Sequence, residues 1–205
     1  GPLIRGIIVT LQLAGVSSVL AILIGAFTAI GRMSNSIAGR LIATTYLEII
    51  RNTPLLVQLF MFYFVLAPIF EIDRFWAGVL CLAAFEGSFA AEIIRGGIQA
   101  VEHGQYEAAD ATGLSKFDKY RYVIVPQALP LILPPLTGLL ISLIKHSAIV
   151  SVIAVAELTT EGLNLISDTY MAFEIWFIVA GMYLVLTTSL SVLVNILEVR
   201  MNKAR

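Results

Sequence analysis

The chain has 205 residues, 59% of them hydrophobic and only 13% charged. That is about half the charged fraction of a soluble domain, and with a mean hydropathy of +0.91 the chain cannot cover a water-facing surface, so composition indicates a membrane protein. A net charge of -1 implies no nucleic-acid partner. The lone Cys81 sits in an apolar run, which excludes an intrachain disulfide and suggests a packing residue.

The first apolar segment, 6–30, carries no charge and would be about 36 Å long as a helix, enough to cross a hydrocarbon core of about 30 Å with some tilt. It is long for a signal-peptide core and lacks a basic leader. Gly15, Ser17 and Ser18 would allow another helix to approach closely. Residues 36–50 read as a moderately apolar helix, with Glu48 and Arg51 spaced for a local ion pair. Pro54 marks a kink or the first residue of the next helix, and 53–70 is the second span. Gln58 lies within it and must face protein or a polar path, because an amide is costly in lipid.

The third span covers 75–94. Glu92 and Arg95 are three apart and can pair near an interface, whereas Glu86 has no local partner. A charge in the middle of a span usually faces a cavity, so Glu86 lines a pocket or makes a structural hydrogen bond. The longest polar interval follows, about 99–122. It reads as a helix over 101–111, a break at Gly113 and a second short helix over 116–122 capped by Ser115. Four prolines, Pro126, Pro130, Pro134 and Pro135, predict that the next helix is kinked or starts late, so the fourth span is placed mainly within 128–144. Residues 146–156 are too short to span, 157–170 is polar, and 173–196 is the fifth span.

The fold class is therefore all-α: a single five-span transmembrane domain over 1–205. With the N-terminus outside and the C-terminus in the cytoplasm, Arg32, Arg40, Lys116, Lys119, Arg121, Arg200, Lys203 and Arg205 fall inside, leaving Arg5 and Arg74 outside, as the positive-inside rule requires. The polar interval is then cytoplasmic. Ala108, Ala109, Ala111 and Gly113 keep part of it slim, which suits docking to a soluble partner better than lying on lipid.

Glu107-Ala108-Ala109, Gly113, Ile124 and Pro126 resemble the EAA signature of bacterial ABC-importer permeases. Arg51-Asn52-Thr53-Pro54-Leu55, the run from Ala91 to Ile98 and the run from Ser151 to Thr159 resemble further segments of the polar amino-acid permeases. The resemblance covers nearly the whole chain and implies the type I importer permease fold, with two permease chains, identical or related, over an ABC ATPase dimer. It also implies an extracytoplasmic substrate-binding protein that delivers the amino acid at a bacterial inner membrane. Glu107, Ala108, Ala109, Gly113, Ile124 and Pro126 would couple to the ATPase. ATP and Mg would bind that partner, with no cofactor or metal on this chain. It contains no GxxxxGK phosphate loop and is expected to be no enzyme.

Substrate-pathway candidates are Glu86, Lys145, Glu157, Asn52, Thr53 and Gln58. Lys145 would meet a substrate carboxylate or snorkel to an interface. Glu157 would gate or pair structurally. Asn52 and Thr53 would orient substrate or fix the backbone before Pro54. His146 and Ser147 depart from the family pattern after Lys145, but His146 has no partner visible in sequence. Unpaired glutamates favour a cationic side chain, so a polar amino acid is expected, weakly a basic one such as arginine, lysine or histidine, with glutamine and glutamate open. A passive channel using the same glutamates is the rival reading, and a membrane enzyme finds no supporting cluster.

Overall fold

The computed structural model describes the backbone of residues 1–203 and the side chains of residues 1–196. Among the described residues the secondary structure is entirely helical. In chain order it comprises α1 (Pro2–Met33), α2 (Ile37–Arg51), α3 (Leu55–Phe70), α4 (Arg74–Gln99), α5 (His103–Ala111), α6 (Lys116–Ile153), α7 (Leu158–Thr169) and α8 (Ala172–Lys203). Helices α1, α4, α6 and α8 are each long and apolar enough to cross a membrane, while α2 and α3 meet at a 107° bend, the geometry of a broken span or a re-entrant loop. Arg200, Lys203 and Arg205, counted above for orientation, lie beyond the described side chains.

The centre of the bundle is the pair α1 and α4, which run parallel. Ser17 donates to the Val79 carbonyl at 3.2 Å, a Cβ on Gly25 would lie 2.6 Å from the Ala90 Cβ, and Arg32 bridges Glu92 at 2.5 Å. In lipid there is no hydrophobic gain from burying one apolar helix on another, so close backbone approach and cross-helix hydrogen bonds hold such a pair. Glycine at 25 permits that approach. The small residues of α1 do not all meet another helix, contrary to expectation. Ser17 does make the contact, but Gly15 faces open space and Ser18 donates to the Ala14 carbonyl of its own helix. Cys81 is fully buried in the core beside Leu13, Val79 and Leu82.

Helix α6 antiparallels α4, with Gly97 against Ile132 at one end and Glu86 against His146 toward the other. It begins at Lys116, twelve residues before the expected start of the fourth span. The prolines do not break it. In lipid a broken helix would leave backbone groups unsatisfied, and Pro126, Pro130 and Pro134 recur every four residues on one outer face. Ile124, Ala128, Ile132, Leu136, Leu139 and Leu143 are buried on the other. Both π turns lie just before a proline: Met61–Leu66 before Pro68 and Lys119–Ile124 before Pro126. A proline lacks the N–H and crowds the carbonyl four residues back. Those carbonyls, of Phe64 and Tyr122, sit inside the widened turns, which relieves the clash without ending the helix.

Three further boundaries differ from expectation. Residues 147–153 form a tight 3-10 continuation of α6 that stops at Ala154 with φ of 55°. The polar stretch after it is helix α7, ended by Tyr170 with φ of 61°. Glu48 and Arg51 do not pair. Glu48 accepts from the Asn52 amide at 2.8 Å, and the Arg51 guanidinium lies over the Phe89 ring, 5.5 Å from its centroid.

Candidate functional site

Glu86 is buried, 2% exposed near the middle of α4. Its carboxylate Oε1 contacts His146 Nδ1 across the α4–α6 interface. The two partners are unequal: the Glu86 side chain is 3% exposed and the His146 side chain 42%. The imidazole thus stands between the carboxylate and the surface. Phe85 packs its ring edge-on to His146 and to Phe89, with centroids 6.0 and 5.2 Å apart. Arg51 lies over the far side of that pair. Lys145 is exposed.

The bend between α2 and α3 gathers Asn52, Thr53 and Gln58. Asn52 donates to the Glu48 carbonyl and carboxylate, and Thr53 Oγ1 to the Ile49 carbonyl. The Thr53 bond occupies a carbonyl near the end of α2, where helical donors run out, while the Glu48 carbonyl also accepts from the Asn52 backbone N–H at 3.2 Å. Gln58, 6% exposed, donates from Nε2 to the Ile50 carbonyl and to Thr53, 2.7 to 3.0 Å away. Its Oε1 is buried without a partner. The amide therefore locks the bend.

Glu157 is completely buried at the start of α7. It accepts from the Thr159 and Thr160 amides at 2.9 and 2.8 Å and from the Tyr183 hydroxyl at 2.8 Å. Burial pushes its carboxyl above the usual range, against the pull of those donors. It is the N-cap of α7 and ties that helix to α8. Glu157→Ala would strand two amides and leave the Tyr183 hydroxyl with Thr159 Oγ1 as its partner, a cost of about 2 kcal/mol. Thermal unfolding of the purified variant is expected to show a corresponding drop in midpoint, smaller for Glu157→Gln, which keeps one acceptor.

The polar interval is braced to the bundle on both sides. Tyr106 donates to the Ile98 carbonyl at the end of α4 at 2.8 Å. Burial, with the neighbouring Tyr120, raises its phenol above the ordinary range and keeps it a donor. Lys119 bridges Asp110 at 2.5 Å and Gln127 donates to Gln105 at 3.1 Å, joining α5 to α6. Ala109 and Ile124 are buried in this joint. Glu107, Ala108, Gly113 and Pro126 stay exposed. Glu107 lies 3.4 Å from the exposed His103. Gly113 has φ of +75° and no atom near its missing Cβ. Ser115 caps the next helix through the Asp118 amide. Helix α5 is thus tied to α4 and α6 together. Among the described residues no three His, Cys, Asp or Glu side chains converge as metal ligands.

Residues 21–203 match the family of binding-protein-dependent transport system inner membrane components. The chain belongs to this family. The permease is 38% identical over 202 residues, 97% of its length and 92% of the relative, to the glutamine transport system permease protein GlnP of Escherichia coli K12. It is 40% identical over 164 residues, 80% of its length and 76% of the relative, to the probable glutamine ABC transporter permease protein GlnM of Bacillus subtilis. A solved amino acid ABC transporter "with histidines" superposes with a TM-score of 0.90 at 43% identity, covering 97% of this permease and 94% of that chain. The methionine transporter MetNI in an inward-facing conformation superposes at 0.76 with 24% identity, covering 98% and 95%, a likeness of fold alone. The chain is a multi-pass inner-membrane permease of an ABC amino-acid importer, and ATP hydrolysis belongs to a partner subunit.

Of the permease's pathway candidates, Asn52, Thr53 and Gln58 meet at one bend, Glu86 stands apart on α4, Glu157 caps α7 and Lys145 is exposed. The sequence reading missed His146. It lies 60 positions from Glu86, and the signal the sequence holds is the departure from the family pattern after Lys145.

Proposed function

We propose that this permease forms half of a two-chain pathway, with its N-terminus outside and its C-terminus in the cytoplasm, and imports glutamine or a near neutral relative of it. The observation that carries the substrate reading is the closure of Glu86 by His146. The lean toward a basic amino acid rested on unpaired glutamates, and the described structure gives both Glu86 and Glu157 partners. The names of the curated relatives, which specify glutamine, favour the alternative over that lean. Arg51 and Lys145 remain as exposed cations that suit the carboxylate every amino acid carries.

ATP and Mg bind the partner ATPase, whose closure moves the surface formed by Glu107, Ala108, Ala109 and Gly113. Ile124 and Pro126 carry that motion into α6. The pathway alternates between two states biased by ligands, with no covalent step on the permease. A binding protein presents the substrate from outside. Asn52, Thr53 and Gln58 set the angle of the broken span, and Glu157 holds the outer end.

Reconstitution in proteoliposomes with the ATPase and the binding protein tests this. ATP-dependent uptake of glutamine is expected, with lysine and arginine competing poorly. Uptake without ATP would establish a channel, and preferential uptake of arginine would reinstate the basic reading.

A further inference from the structure

Between α4 and α6 the chain carries a carboxylate and its own cover. Among the described residues the side-chain partner of Glu86 is His146; the Glu86 side chain is 3% exposed and the imidazole 42%. A lipid-facing surface is a poor place for such a group. The aromatic pair Phe85 and Phe89 extends from this imidazole to Arg51. Two cationic or ionisable side chains therefore flank one aromatic wall, an arrangement suited to a protein- or water-lined path.

Resting on the importer reading above, we infer that His146 determines side-chain selectivity by occupying the place a cationic substrate group would take at Glu86. With the histidine present, the carboxylate has a fixed internal partner and offers nothing to an arginine or lysine side chain. A neutral amide passing the site meets no uncompensated charge. Because the imidazole lies on the exposed side of the contact and the carboxylate behind it, shortening residue 146 opens Glu86 to that same surface. Glu86 is then a latent site for a guanidinium or ammonium. Charge alone would not produce this effect. It requires the order of the two groups, carboxylate inside and imidazole outside.

The experiment uses the permease–ATPase complex in nanodiscs without the binding protein, whose own selectivity would mask the result. The shift in unfolding midpoint is recorded against increasing glutamine, arginine and lysine. The wild type is expected to respond to glutamine at lower concentration than to arginine. In H146N the arginine response is expected at a concentration about tenfold lower or less, the scale of one charged hydrogen bond. In the E86Q–H146N double variant that gain is expected to disappear, because the latent carboxylate is gone. General destabilisation would alter all midpoints without changing the order of the ligands. If H146N does not assemble, H146S, which admits water to the carboxylate, carries the same expectation. A wild-type arginine response in the single variant, a gain that persists in the double variant, or no response of the wild type to any amino acid would each overturn the inference. ATP-dependent uptake by the same wild-type complex, with binding protein added, separates these failures from failure of the importer reading itself.

Discussion

Gly25→Leu is expected to lower the unfolding midpoint of the purified permease by roughly 6–12 °C, from an overpacking cost of about 3 kcal/mol in a chain of this size. A Cβ at this position would meet the Ala90 Cβ at 2.6 Å and the backbone of Ala90 and Ala91 at 3.0 Å. Backbone cannot swing aside as a flexible side chain can, so α1 and α4 must separate. Their separation would also strain the Ser17–Val79 hydrogen bond and the Arg32–Glu92 bridge. Gly15→Leu is the matched control, since nothing lies within 4 Å of its missing Cβ. A thermal scan that finds the two variants equally stable would refute the role given to Gly25.

The second large effect is on coupling. Gly113→Val is expected to abolish ATP-dependent uptake and weaken recovery of the ATPase with the permease, while leaving insertion in the membrane intact. The position has φ of +75° with open space around it, so the penalty is conformational and not steric: about 1–2 kcal/mol for a left-handed L-residue, and more for a β-branched one. The turn would have to leave this geometry. That would displace α5 relative to the Ser115 cap and the Lys119–Asp110 bridge. Asparagine tolerates the left-handed region better, and Gly113→Asn is expected to keep substantial uptake. Normal uptake and ATPase recovery in the valine variant would remove Gly113 from the coupling surface.

The contrast between these two glycines also shows what could be read in advance. Gly113 follows a helical pattern and precedes a serine cap, so its turn was legible from neighbours in the chain. Gly25 lies in an uninterrupted apolar run that gives no sign of which face meets α4. The three helical stops at Glu71, Ala154 and Tyr170 have positive φ without glycine, so local composition held no marker for them. The prolines of α6 misled for a related reason. Their cost, read position by position, predicts a break, whereas one widened turn before Pro126 and a shared outer face absorb it.

The sequence by itself determined the membrane environment, the five apolar stretches, the polar interval and the family, because these depend on composition and on residues close in the chain. Only the tertiary structure decided that Glu86 is covered by His146, that Glu157 caps a helix, and that Gln58 locks a bend. The physical reason is that a buried polar group must find its partner wherever the fold brings one. For Glu86 that partner is 60 residues away, beyond the reach of any periodicity.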